Sequence, residues 1–187
     1  TDSTIERLGQ AGEHGPLFPY SAGVFGSGNN MAFRTSWLHA HSGFDEALGA
    51  GTLTRGGEDL DAFLTVIRAG DVIVYEPRAL VRHHARGDMT GLRQQMYGYG
   101  SGMSALIAKQ VFISPRGAVA VIKRLPAGLL RLLDPQSTKN ESKSAAFPPE
   151  LSRAELKGFA AGPALYVRSI IRARRPSARH RATDPHL

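Results

Sequence analysis

Leu60, Phe63, Leu64 and Ile67 recur at the i, i+3, i+4, i+7 spacing of one helical face, and Gly70 stands where that helix must stop. This stretch is the clearest periodic element in the chain. Before it the pattern is short and broken. Residues 1–22 are polar with Gly and Pro and predict a loop. Gly26, Gly28, Asn29 and Asn30 predict a turn, "NMAFR" (30–34) a short strand, and "TSWLHAHSG" (35–43) a short helix capped by Thr35 or Ser36 and stopped by Gly43. "FDEALGAGTLTRGG" (44–57) predicts a glycine-rich loop long enough to move over a site. After the periodic helix, "VIVYE" (72–76) predicts a strand closed by Pro77, and "ALVRH" (79–83) a second. A helix is expected from about Asp88, weakened by the glycines at 98–102. Residues 103–133 form an amphipathic segment interrupted at Pro115 and Pro126. Residues 134–150 form a polar linker, and 151–187 a short helix and a basic tail.

Charge divides the chain. Residues 1–102 carry 8 Lys and Arg against 11 Asp and Glu, and residues 103–187 carry 15 against 5. The formal charge of +7 therefore belongs to the C-terminal part, which is suited to anionic surfaces, lipid or nucleic acid. At 103–133 an interfacial helix on an anionic membrane and a helix with a solvated basic face explain the pattern equally well. No aromatic interleaving supports specific nucleic-acid binding. There is no cysteine, which excludes disulfides and thiolate metal sites and suits a reducing compartment. No apolar run reaches the roughly 18 residues of a membrane span.

Candidate chemistry centres on "RGGEDLD" (55–61). Asp59 and Asp61 form a D-x-D string, but residues two apart on a helix lie about 200° apart around its axis and do not meet at one ion. Glu58 and Asp59 occupy the first turn, where free N–H groups favour a carboxylate. Helix capping alone explains such acids, and so does a general base for a hydroxyl.

The ordered series "GSGNNMAFR", "GFDEALG", "GGEDLD", "VYEPRALVRH" and "QQMYGYGSG" resembles the C-terminal half of a family 2 glycosyltransferase of the GT-A fold, over about residues 18–102. The resemblance implies an α/β fold: the C-terminal part of a nucleotide-sugar transferase sheet with flanking helices, in residues 1–102. It implies Asp59 as catalytic base and Glu58 beside it in acceptor binding. It assigns His83, ahead of the offset His84, to a divalent metal, Mg²⁺ or Mn²⁺, on the donor diphosphate. Gly28, Asn29 and Asn30 would lie near donor and acceptor, with Gly57 and Arg55 beside them. As a lone loop arginine, Arg55 reads more simply as solvated.

The family's nucleotide-binding, Rossmann-like half and its acidic metal grip have no counterpart in residues 1–22. The expectation is therefore a fragment of an inverting enzyme, cytoplasmic and peripheral to the membrane, with the donor half supplied from outside this sequence. Q-x-x-R-W is absent, which points to transfer of a single sugar from a nucleotide-diphosphate sugar to a hydroxyl acceptor. The rival reading is a non-catalytic basic module that binds anionic membrane or nucleic acid through 103–187. His39 and His41 face apart and are not expected as ligands, Trp37 is expected in packing, and Tyr97 and Tyr99 suit either packing or sugar stacking.

Overall fold

A computed structural model describes residues 6–8, 17, 26–82, 84, 87–133 and 147–174. In chain order the elements are β1 (Glu6–Leu8), α1 (Thr35–Ala40), α2 (Glu58–Arg68), β2 (Ile73–Tyr75), α3 (Met89–Ile113), α4 (Pro115–Leu133) and α5 (Pro149–Ala173). The expected α/β sheet of the GT-A type is not found among the described residues. Their β structure is one antiparallel ribbon, with Glu6 opposite Tyr75 and Leu8 opposite Ile73, plus an isolated bridge between Gly49 and Gly56. The fold is predominantly helical.

The physical reason lies in pairing and packing. The run 30–34 takes no strand partner. Its Phe33 ring packs instead among Trp37, Phe44 and Phe63, and the Asn30 amide donates to the Ala79 carbonyl at 2.7 Å. Residues 79–82 are likewise irregular, and Leu80 and Val81 are exposed. Short β-prone runs become strands only where a neighbouring strand accepts their hydrogen bonds. β1 lies inside the segment read as loop.

Helix α2 forms as its periodicity predicts. Its end is a Schellman closure: Gly70 N–H donates to Ile67 and Asp71 N–H to Val66. Burial extends beyond the predicted stripe to Asp61, Ala62 and Val66. Helix α3 begins at Asp88, whose carboxylate accepts from Gly91 N–H at 2.7 Å. It then runs unbroken through position 102, where the sequence reading divides the chain.

The glycines at 98–102 do not weaken α3, because they form its packing face. A Cβ at Gly100 would overlap the Glu155 carbonyl oxygen of α5. One at Gly158 would overlap the Tyr97 carbonyl, and one at Gly162 the Ser104 hydroxyl. The α3 and α5 backbones therefore touch along a seam of Gly, Ala and Ser, with Ala105 and Leu106 of α3 and Leu151, Ala154 and Tyr166 of α5 buried. Helix α5 starts at Pro149, in the first turn where proline costs no hydrogen bond, and spans 25 residues. Residues 89–113 and 149–173 thus form one packed unit across the expected domain boundaries.

The 44–57 loop is anchored rather than loose. Ala47, Leu48 and Thr54 are buried, Gly49 pairs with Gly56, and Ser101 Oγ of α3 donates to the Thr54 carbonyl at 2.7 Å.

Candidate functional site

Gly56 and Gly57 set the position of everything that follows them. Gly57 caps α2 at φ 98°, a left-handed conformation, and an added Cβ there would lie 2.7 Å from the Gly102 carbonyl oxygen. Only glycine fits both the torsion and the contact. The turn is thereby pressed onto α3, and the first residues of α2, Glu58 and Asp59, project beside it. Gly57 is itself buried apart from its place in the lining of the groove that these acids share, and it positions them.

The three acids go to different places. Asp59 Oδ2 accepts from Gly28 N–H at 2.9 Å, and Oδ1 from Leu60 N–H at 2.8 Å. Gly28 approaches so closely that an added Cβ would lie 3.1 Å from the Asp59 Cβ. Glu58 packs by Gly49, and its buried Oε2 has no hydrogen-bond partner among the described residues. Such an oxygen is costly unless something satisfies it. Asp61 turns the other way, into the core.

There Asp61 Oδ2 lies 2.6 Å from Lys109 Nζ, which also meets Asp45 Oδ2 at 2.7 Å. The Tyr166 hydroxyl donates to the same Asp45 oxygen at 3.0 Å. This clasp joins the 44–57 loop to α2, α3 and α5. Burial raises the Asp61 carboxyl above its usual value despite Lys109. Burial also acts on Asp45, but hydrogen bonds from Lys109, Ala47 N–H and Tyr166 outweigh it and hold that carboxyl low. Burial and the Asp45 charge push the Tyr166 phenol up. Lys109 therefore belongs to the core and not to a basic outer face.

Asp59 and Glu58 line a groove of about 1000 Å³ between the α2 start, α3, α4 and α5. Arg55 and Tyr99 stand at the same wall, while Met103, Val121 and Phe159 make it largely apolar. Arg55, at φ 60°, lays its guanidinium 5.3 Å from the Tyr97 ring centroid. It is therefore held by stacking rather than simply solvated. Of the turn at 26–30, Gly26 and Ser27 reach the groove and Gly28 holds Asp59. Asn29 and Asn30 do not line it. Asn29 accepts from the Ser27 hydroxyl, and Asn30 ties the turn to Ala79.

His83 lies outside the described residues. Among those described, no group of three or more His, Asp or Glu is placed to hold a metal ion. Asp59 is engaged with two backbone N–H groups, and Asp61 with Lys109. His41 stacks on Trp37 with ring centroids 4.1 Å apart, and Trp37 Nε1 donates to Asp71 at 2.6 Å, so both are packing residues.

The sequence reading missed the clasp and the glycine seam. The seam had a signal in Gly158 and Gly162, a G-x-x-x-G spacing on α5, while the same spacing at Gly98 and Gly102 on α3 serves the contact with the 55–57 turn. The clasp had none, since Asp45 and Tyr166 lie 121 positions apart. No family model, curated protein or solved structure matches the chain. Among the described residues no helix is long and apolar enough to cross a membrane.

Proposed function

We propose that the groove is the acceptor side of an inverting glycosyl transfer and that Asp59 is its general base. One observation carries the reading: Asp59 opens α2 in the wall of a groove of about 1000 Å³, with one carboxylate oxygen aligned by Gly28 N–H. In the step proposed, the carboxylate takes the proton of an acceptor hydroxyl as its oxygen forms a bond to the anomeric carbon. The bond from that carbon to the diphosphate breaks on the opposite face, and the nucleoside diphosphate leaves with the electron pair. Glu58, whose Oε2 lacks a partner among the described residues, is assigned to a second acceptor hydroxyl. Arg55, fixed over Tyr97, supplies positive charge at the same wall.

The order of motifs between residues 18 and 102 supports this reading, and the helical fold does not add to it. The described residues are assigned the base and acceptor side only, and transfer of a single sugar and a cytoplasmic location go with the proposal. The test is Asp59→Asn in the full gene product. Nucleotide release from a panel of sugar nucleotides should fall by about 10²–10⁴-fold. Donor binding, measured by equilibrium dialysis, should stay nearly unchanged. Turnover equal to that of the parent protein would end the assignment.

A further inference from the structure

Helix α4 is turned the wrong way round for a helix that only completes a core. Its inward side carries the buried Gly117 and the half-buried Ala118, Ala120 and Gly128, while Val121, Arg124 and Leu125 line the groove. Its outward face, at i, i+3, i+7 and i+11, is Val119, Ile122, Pro126 and Leu130. Ile122 is 65% and Leu130 69% exposed. At the end of α3, Ile113 is also 61% exposed, whereas Phe112 lines the groove and stacks on Tyr166. Exposed Arg116 and Lys123 flank this face along one side. No Asp or Glu occurs anywhere from Met89 to Leu133.

We propose that α4 is an interfacial helix that lies flat on an anionic lipid bilayer. Val119, Ile122 and Leu130 enter the acyl boundary, and Arg116 and Lys123 sit among the phosphates. Charge selects this occupant. A surface with cations and no anion complements negative headgroups. A second copy docked on the same face by two-fold symmetry would bring like charges together. A helix of 19 residues that fails the requirements for crossing, yet exposes one apolar side edged with cations, has the form of a surface-lying helix. The argument uses nothing from the transfer reading and stands or falls separately.

The experiment is co-sedimentation of the full chain with phosphatidylcholine vesicles, with and without phosphatidylglycerol, at low and high salt. Binding is expected only to vesicles with the anionic lipid, and weaker at high salt. Lys123→Glu should weaken it by about tenfold or more, since each cation at such a surface contributes about fivefold. Ile122→Ser with Leu130→Ser should abolish it while the circular dichroism spectrum is unchanged, because both side chains are exposed. Three results would overturn the proposal. The first is no binding to phosphatidylglycerol vesicles. The second is binding that survives the serine pair, which would place it elsewhere in the chain. The third is a concentration-dependent dimer that the serine pair dissolves.

Discussion

Lys109 holds two carboxylates at once, Asp45 at 2.7 Å and Asp61 at 2.6 Å. Replacing it with Met would leave Asp45 and Asp61 facing each other in a partly buried setting. Removing one partner of such a cluster costs about 3–5 kcal/mol. The pH dependence has a definite sign. Asp45 is held below its unfolded value, so it contributes stability above that value and loses it as pH falls through the lower, folded one. Asp61 is raised, so its ionisation costs stability as pH rises, and protonation relieves that cost. In the parent protein the two trends oppose. In Lys109→Met both carboxylates lose the ammonium group that favours their charged forms, and the deficit should shrink between neutral pH and about pH 4.5. Urea unfolding at the two pH values measures it, and a deficit independent of pH would show that the carboxylates are not the cause. At this scale the sequence was informative about Asp59 and Asp61. Their spacing alone separates them, and they do point to groove and core. It was silent about Lys109, because a lysine among apolar residues reads as an outer-face charge until a partner 48 or 64 positions away is known.

Helices were legible where one face alternates regularly, as in α2, and misjudged where the packing residue is glycine. Propensity counts each glycine in α3 as a loss of about 1 kcal/mol against alanine. The contact with α5 reverses that sign. Gly158→Ala should therefore destabilise by about 2–3 kcal/mol or more, since the added methyl meets the Tyr97 backbone, which has no rotamer by which to yield. Thermal or urea unfolding gives the value, and a neutral or stabilising change would mean that the helices separate at no cost. The 44–57 loop was misjudged for a related reason. Its glycines look like freedom, yet Gly57 is there because its torsion and the Gly102 carbonyl leave room for nothing larger.

Across the whole molecule, the order of motifs led to the wrong architecture. A short β-rich run carries no information about whether a partner strand exists, and here "VIVYE" finds only three paired residues. The pairing of α3 with α5 was signalled only by the glycine spacing of α5, since helical periodicity identifies a face but not what covers it. The groove follows from that pairing, which is why its acids were found from sequence and its walls were not. The Tyr166–Asp45 hydrogen bond, across 121 positions, sets a further property of the chain. Such a contact closes a very long loop, and its entropy must be met before the bond can form. It should therefore be absent from the folding transition state. Tyr166→Phe is expected to leave the refolding rate nearly unchanged and to quicken unfolding, as stopped-flow chevrons would record. The clasp would then act as a latch on escape from the native basin, governing how long each molecule stays folded rather than how fast it gets there.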